Sequence, residues 1–350
     1  MIHRLAISRR GLIAGGTAAA GLALTGCQPR LSGLFTGADT HPGDYPTVKA
    51  VEYMGQLLSE RTGGRLGIKV FPGAQLGNER DTLEITSFGG IDFNRVNLAP
   101  LNSVEPLTIP PSLPFIFRSV PHMRRTLDGD IGDEILASFR RQGMIGLCFY
   151  DSGARSFYNT RRPVYTPEDM HGLKLRVPSS DLYLAMVNAL GANAVPMPFD
   201  EVYSALAQGV IDGAENNWPS FESARHYEVA RFMSLTQHLF TPEVLLMSKV
   251  SWDKLSQSDQ QLIRQAARQS VDYMRRLWDA RVKSAKANII AAGVEVNEVD
   301  NAAFAALMEP VWDDFLVTPQ QRDIARRIVA LGEQMASDAT APSAPQETAS

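Results

Sequence analysis

The sequence predicts an α/β protein of two lobes, and three observations support that fold class. Gly172 to Trp218 reads as strand, helix, strand, helix and strand, because apolar runs alternate with helix-start residues and glycines. A comparable series of segments occurs in the first half of the chain. Ser258 to Ala291 contains neither proline nor glycine and keeps a helical spacing of apolar residues. A helix of that length would span roughly 50 Å, enough to brace both lobes.

The N-terminus carries the features of an export signal. Arg4, Arg9 and Arg10 precede an acid-free run of small and apolar residues, Gly11 to Thr25, which predicts a signal peptide over residues 1–26. The pair Arg9-Arg10 and the residues around it resemble a twin-arginine signal. We therefore expect the mature protein to lie in the periplasm.

The end of this segment also predicts a lipid anchor. Leu24-Thr25-Gly26-Cys27 resembles a lipoprotein signal-peptidase site, which would make Cys27 the lipid-bearing first residue of a membrane-anchored protein. An ordinary cleavage site beside an incidental Cys27 is the alternative. Residues 27–43 are small, polar and contain proline and glycine, which predicts a tether.

Charge and cysteine content limit the possible partners. The chain has 34 basic and 38 acidic residues, and loss of three signal arginines leaves 31 basic residues and a formal charge of −7. That charge argues against nucleic acid as a partner. With Cys27 lipidated, Cys148 has no disulfide partner, and its apolar surroundings in sequence predict a buried, inert thiol.

The first half of the chain alternates between helical and strand patterns. The predicted elements are a helix from Val48 to Arg61, a strand from Leu66 to Phe71, a helix from Asn78 or Asp81 to Gly89, a strand from Ile91 to Asn97, a proline-rich turn region from Pro100 to Pro114, a helix from His122 to Gln142 and a strand from Met144 to Tyr150.

The part after Asn217 predicts a strand shared between the lobes and several helices. These are a strand from Glu243 to Ser248, the long helix, a short strand from Val294 to Val296, helices over Asn301 to Asp314 and Pro319 to Met335, and a disordered tail over residues 337–350. We expect residues 44–152 and 240–281 to form the first lobe, and residues 153–239 and 282–336 to form the second.

An internal similarity favours two lobes of one design. Ile91 to Asn97 lines up with Ile211 to Asn217, and Gly67 to Pro72 lines up with Gly172 to Pro178. Two matching lobes would place their strand ends opposite one another across a cleft. Chance similarity between two α/β units is the alternative, since such units share loop chemistry.

The strand ends within Gly172 to Trp218 carry chemistry suited to an acidic ligand. Arg176 ends the first strand, and Asn216 and Asn217 end the last. Ligands of open α/β sheets bind outside the carboxyl ends of strands. An arginine facing amides at that edge is suited to a carboxylate that also carries hydroxyls.

Recognisable catalytic motifs are absent from the sequence. There is no nucleophile elbow, dinucleotide fingerprint, phosphate-binding loop or metalloprotease helix, and His226 and His238 do not have a one-helix metal spacing. Asp212 with Glu215 or Glu201 allows an acid/base pair, although capping and ion pairing by these carboxylates are the favoured interpretation. We therefore predict a binding protein without cofactor or metal, and not an enzyme.

The chain resembles the solute-binding proteins of tripartite ATP-independent periplasmic (TRAP) transporters, the DctP family. The resemblance extends from about His41 to Met335 and is most specific at Phe71 to Gly77, Gly172 to Val177 and Val210 to Asn216. It implies a two-lobed periplasmic-binding-protein fold with crossing strands and a long bracing helix. It also implies membrane permease subunits as partners, and a salt bridge from Arg176 to the substrate carboxylate.

A narrower resemblance implies the substrate. His41 to Thr47, Arg95 to Asn97 and Asn216 to Ser220 look like the branch that binds hexuronates such as glucuronate and galacturonate. The resemblance implies Arg176 and Arg155 at the carboxylate, Arg95, Asn97, Asn216 and Asn217 at the hydroxyls, Trp218 or Tyr45 over the sugar ring, and His41, Gln75, Glu79, Ser179 and Glu243 as further contacts.

Several alternatives stay open at this stage. Trp218 also fits a core aromatic, Arg155 an ion pair with Asp151 or Glu215, and His41 and Tyr45 a loop-capping role. A C4-dicarboxylate or keto acid is the alternative ligand. An extracytoplasmic lyase or glycosidase acting on uronates, and an adaptor to a sensor kinase, are the alternative functions.

Overall fold

The computed structural model describes residues 33–340, so the predicted signal peptide, Cys27 and residues 341–350 lie outside the described part. Nine strands form one sheet in this part: β1 (Gly33–Ala38), β2 (Leu66–Phe71), β3 (Phe93–Asn97), β4 (Met144–Asn159), β5 (Lys174–Val177), β6 (Asn193–Pro196), β7 (Gly213–Asn216), β8 (Phe232–Ser248) and β9 (Glu295–Asn297).

Helices cover the sheet, and short 3-10 turns connect several of them. The helices are α1 (Pro46–Thr62), α2 (Glu79–Ser87), α3 (Leu98–Leu101), α4 (Val120–Leu127), α5 (Asp130–Ser138), α6 (Asp181–Ala189), α7 (Val202–Ala207), α8 (Trp218–Ser223), α9 (Lys249–Trp252), α10 (Gln257–Ala291), α11 (Asn301–Ala306), α12 (Glu309–Phe315) and α13 (Pro319–Thr340). Between residues 33 and 340, no helix is both long and apolar enough to cross a membrane.

The sheet consists of two parallel trios joined by two long strands. Its order is β2-β1-β3-β8-β4-β7-β5-β6, with β9 paired to β8. The trios β2-β1-β3 and β6-β5-β7 are parallel, whereas β8 runs antiparallel to β3 and β4, and β4 antiparallel to β7. The α/β fold with crossing strands is confirmed.

Strand β1 was not predicted, and its presence corrects two interpretations. It pairs with β2 and β3, so the predicted tether is wrong from Gly33 onward. The predicted correspondence of β3 with β7 agrees with the topology, because each lies beside a long strand. The correspondence of β2 with β5 is wrong, because β5 is the middle strand of its trio and only β1 holds that place in the other.

The two long strands also exceed their predicted bounds. The sequence Asp151-Ser152-Gly153 predicts a turn that would end β4, but the strand passes through it with a shift of register between Asp151 and Ala154. Gly153 has a φ of +61° at this bulge. The irregularity lets one strand continue to Asn159, where it pairs with β7. Strand β8 likewise begins at Phe232 instead of Glu243.

Two predicted helices are broken and one is longer than expected. The helix predicted from His122 to Gln142 is split at Gly129, which is extended and lies before α5. The helix predicted over residues 301–314 is split into α11 and α12. The final helix continues to Thr340, so the tail prediction is wrong for residues 337–340; the first helix-breaking residue is Pro342.

The long helix α10 is confirmed and contacts elements of both predicted lobes. It has 35 residues, and the Ser256 side chain caps its N-terminus by accepting from the Asp259 amide. It packs against α1, β4 and α8, and its Trp278 is buried. The final helix α13, predicted in the second lobe, lies instead against α4 and α5 of the first. The lobe boundaries otherwise stay a prediction.

Cys148 is a free, buried thiol on β4, as predicted. Burial raises its pKa to about 12, which keeps the thiol protonated and unreactive.

Candidate functional site

A small cavity lies at the carboxyl ends of the parallel strands. Asn97 ends β3, Arg176 lies one residue before the end of β5, and Asn216 ends β7. The long strands close it from the middle of the sheet. The lining residues are Thr40, His41, Glu79, Asn97, Arg155, Arg176, Pro178, Phe199, Asn216, Ser220 and Glu243.

Arg176 is the cation of the cavity that has no carboxylate partner. Its side chain is buried, and its Nε donates to the carbonyl oxygen of Met197 at 2.8 Å. Among residues 33–340, no carboxylate oxygen lies within salt-bridge distance of its guanidinium. Burial lowers the pKa of Arg176, because desolvation disfavours the charged form. A ligand carboxylate would supply the missing partner.

Arg155, predicted as a second cation at the carboxylate, is already paired. Its Nε and Nη2 donate to the two carboxylate oxygens of Glu215 at 2.6 and 2.7 Å. Burial alone would raise the pKa of Glu215, but the charge and hydrogen bonds of Arg155 lower it to about 2. His238 lies behind the pair, with its Nε2 3.5 Å from Glu215. Arg155 therefore lines the cavity as half of a buried ion pair.

Arg95 lies behind the cavity surface and not on it. Its fully buried guanidinium forms ion pairs with Asp39, with Glu79 at 2.9 Å and with Glu243 at 3.2 Å. Carboxylates of the protein surround its guanidinium, and the predicted contact of Arg95 with ligand hydroxyls stays a prediction. Its position instead holds two lining residues, Glu79 and Glu243, at the edge of the cavity.

Two amide groups at strand ends have unused donors. The Oδ1 of Asn97 accepts from the amide of Ala99, and the Oδ1 of Asn216 accepts from the amide of Asn217. Because backbone donors identify these oxygens, the assignment of each Nδ2 follows. Neither Nδ2 has an acceptor among residues 33–340. Asn97 and Asn216 therefore present N–H donors to the cavity, and their contact with ligand hydroxyls stays a prediction.

The neighbouring Asn217 has a structural position. Its Oδ1 accepts from the amide of Ser220 and caps α8, and its Nδ2 donates to Ser152 at 2.9 Å. Trp218 is half-buried against the α10 side of the molecule, with Lys286 over its ring. Neither residue lines the cavity, and the hydroxyl contact of Asn217 and the ring contact of Trp218 stay predictions.

Tyr45 supports a lining residue from behind. Its ring stacks on His41 with centroids 3.9 Å apart, and its hydroxyl lies 2.8 Å from the Ser220 hydroxyl. His41 lines the cavity, but Tyr45 is fully buried in the core and does not. Tyr45 therefore adjoins the cavity through His41, and its contact with a sugar ring stays a prediction.

The remaining predicted contacts divide between the cavity and its surroundings. Glu79 and Glu243 line the cavity, and Ser179 lines an adjoining pocket that Arg176 also lines. Gln75 is exposed on the loop before α2 and lines neither pocket, and its ligand contact stays a prediction. Four lining residues were not predicted from sequence: Thr40, Pro178, Phe199 and Ser220.

The sequence before Phe199 contains a signal for its position in the cavity lining. It follows Pro196-Met197-Pro198 after β6, where the chain cannot continue as a strand and turns toward the carboxyl ends. Its ring centroid lies 6.0 Å from the Arg176 guanidinium carbon. It is the aromatic side chain of the cavity lining.

The carboxylates considered for acid/base chemistry are engaged elsewhere. Asp212 accepts from the Lys174 amide at 2.9 Å and from Arg161 at 2.8 Å, and it does not line the cavity. Glu215 is held by Arg155. Both arrangements match the structural interpretation made from sequence.

Comparisons with known proteins identify the family of this chain. The family described as bacterial extracellular solute-binding protein, family 7, matches residues 37–318. A solute-binding protein of Chromohalobacter salexigens is 46% identical over 283 residues, which are 81% of this chain and 84% of that protein.

Solved structures with bound ligands are also similar. A TRAP periplasmic solute-binding protein from Xanthobacter autotrophicus Py2, with bound β-D-galacturonate, is 50% identical with a TM-score of 0.83. The match covers 85% of this chain and 99% of that one. A TRAP periplasmic solute-binding protein from Chromohalobacter salexigens, with bound D-glucuronate, is 44% identical over the same shares with a TM-score of 0.83.

Proposed function

This chain belongs to the bacterial extracellular solute-binding proteins of family 7, the binding proteins of TRAP transporters, and from that premise we propose that it captures a hexuronate. D-Galacturonate and D-glucuronate are the proposed ligands. The protein would enclose the sugar acid between its lobes and deliver it to the membrane permease subunits.

The unpaired guanidinium of Arg176 carries this proposal. A buried charge is stable only with a partner, and a carboxylate can bind a guanidinium through two parallel hydrogen bonds. Here Arg176 is buried in a cavity that also offers the Nδ2 donors of Asn97 and Asn216 and the acceptors of Glu79 and Glu243. One carboxylate together with several hydroxyls satisfies all of these groups.

The proposed pose follows from the order of these groups around the cavity. Arg176 binds the carboxylate, with the Arg155–Glu215 pair beneath it as a fixed support. Asn97 and Asn216 donate to hydroxyl oxygens, and the ring of Phe199 covers an apolar face of the sugar. Neutral sugars would leave Arg176 unpaired, so the pose also gives the reason for acid selectivity.

Catalysis by this cavity is disfavoured by its carboxylates. Glu215 is tied to Arg155 and its pKa is lowered to about 2, which leaves no proton for a general acid near neutral pH. The lining carboxylates Glu79 and Glu243 are both held by Arg95. We therefore propose binding without turnover.

Export and anchoring stay proposals that the sequence alone supports. We propose a twin-arginine-type signal over residues 1–26 and a lipid on Cys27, both outside the described residues. Mass spectrometry of the N-terminal peptide from native membranes tests this. Diacylglyceryl-modified Cys27 is expected, and an unmodified peptide beginning at another residue would refute the anchor.

Thermal unfolding of the soluble mature domain tests the ligand class. A ligand at 1,000 times its Kd adds about 4.1 kcal/mol of stability, which raises Tm by several degrees. We expect this shift with galacturonate or glucuronate and none with galactose or glucose. A shift confined to succinate or a keto acid would refute the hexuronate while keeping the binding function.

A further inference from the structure

We propose that Glu79 and Glu243 make the cavity selective for ligands with one negative charge and exclude dianions. This inference deepens the proposed function and rests on it. It concerns the side of the cavity formed by β1, β3, α2 and β8, which we call the acidic wall: Asp39, Glu79, Glu243 and their shared partner Arg95.

The acidic wall carries excess negative charge. Three carboxylates surround one guanidinium, which gives a formal charge of −2. The charged groups of the other side are Arg155, Arg176 and Glu215, with a formal charge of +1. The cavity is therefore electrically polarised, and it has one place for an anionic group.

The free oxygens of the acidic wall require donors from the ligand. Glu79 uses Oε1 to accept from Arg95 at 2.9 Å and from the Asn97 amide at 3.0 Å, while its Oε2 has no donor among residues 33–340. Glu243 Oε2 forms the 3.2 Å ion pair with Arg95 without accepting a hydrogen bond, and the Oε1 of Glu243 has no donor in the described part. Sugar hydroxyls can donate to these oxygens, whereas an ionised carboxylate cannot.

A second ligand carboxylate would thus meet repulsion without compensation. Like charges a few ångströms apart repel strongly wherever water is excluded. Burial raises the pKa of Glu243 against the opposing charge of Arg95, and a second anion beside it would raise that pKa further. A dianion would therefore bind more weakly because of this repulsion, or its binding would require protonation of Glu243.

The test uses two linear sugar acids that differ at one end. Galactonate has a hydroxymethyl group where galactarate has a second carboxylate. Their affinities are measured by competition against a bound hexuronate in the wild type, Glu79→Gln and Glu243→Gln. In the wild type we expect galactonate to bind at least about 100-fold more tightly than galactarate. Each substitution should reduce this ratio by at least about 10-fold.

Glu84→Gln is the matched control, because it removes one exposed negative charge from the same helix α2 outside the cavity. It should leave the ratio unchanged. A wild type that binds galactarate as well as galactonate, or that binds neither, would overturn the inference. So would a ratio that stays constant in both cavity variants. Absence of hexuronate binding in the wild type would instead refute the proposed function.

Discussion

Two adjacent asparagines at the end of β7 have different roles. Asn216 faces the cavity with a free Nδ2 donor, whereas Asn217 caps α8 and bonds to Ser152. Asn217 follows the strand with an extended backbone, φ −86° and ψ 165°, so its side chain points away from that of Asn216. One residue of the pair therefore reports on ligand binding and the other on stability.

Alanine substitutions should separate these tasks. Asn216→Ala removes one hydrogen bond to the ligand, and we expect affinity for a hexuronate to fall about 3- to 10-fold. Asn217→Ala removes an N-cap, and we expect the free energy of unfolding to fall by about 1–2 kcal/mol with affinity changed less than about twofold. Isothermal titration and urea unfolding measure the two effects. An equal or larger affinity loss for Asn217→Ala would contradict the assignment.

Three of the predicted residues that line the cavity have positions in the backbone that can be read from the sequence. Arg176, Asn97 and Asn216 lie at strand ends, and strand ends are readable from apolar runs and the residues that stop them. Arg95 and Asn217 lie at equally suitable positions. Their roles depend on Asp39, Glu243, Ser152 and Ser220, which come from distant parts of the chain, so local pattern could not separate them from ligand contacts.

At the scale of elements, the bulge in β4 lets one strand serve both halves of the sheet. Gly153 takes a positive φ there, and a Cβ added to it would lie 3.2 Å from the buried ring of Trp278 on α10. The bulge of β4 and the long helix α10 thus pack closely together at Gly153. A side chain at this position would strain the backbone and push the helix away.

Gly153→Ala should therefore lower the free energy of unfolding by more than the strain of a positive φ accounts for. We expect the free energy of unfolding to fall by about 2–4 kcal/mol, the sum of backbone strain and overpacking. Gly172→Ala is the control, since Gly172 has a φ of +80° and no atom within 4 Å of an added Cβ; it should cost about 1–2 kcal/mol. If denaturant unfolding gave the same loss of free energy for both variants, the contact with Trp278 would not contribute to the destabilisation.

Elements with an unbroken local signal were predicted well, and elements that continue through a turn-like sequence were not. The 35 residues of α10 lack proline and glycine and were recognised almost to the residue. The extensions of β4 and β8 depend on their pairing with each other across an irregular register. The local sequence predicts a turn at Asp151 to Ala154, and only the pairing of β4 with β8 shows that the chain stays extended there.

At the scale of the whole molecule, the described form is closed around its cavity. Arg176, Arg155, Asn216 and Glu243 are all buried although they line it. Strands β4 and β8 and helix α10 connect both sides of the cavity, and we expect movement about these elements to control ligand access. Closure also removes water from Arg176, which strengthens its interaction with a carboxylate.

The central claim is that Arg176 recognises the carboxylate of a hexuronate. A thermodynamic cycle of two ligands and two proteins tests this claim. Galacturonate and galactose are titrated into the wild type and Arg176→Gln, with unfolding measured for both proteins. We expect the wild type to prefer galacturonate by at least about 100-fold. In Arg176→Gln that preference should fall below about 10-fold without loss of ligand-free stability, because an unpaired buried charge is removed.

The cycle compares the two sugars within each protein, so a general disturbance of the cavity changes both affinities and cancels in the ratio. A preference for galacturonate that disappears only when Arg176 is replaced would establish the guanidinium as its source. A folded Arg176→Gln protein that keeps the wild-type preference would contradict the account and place the carboxylate elsewhere in the cavity.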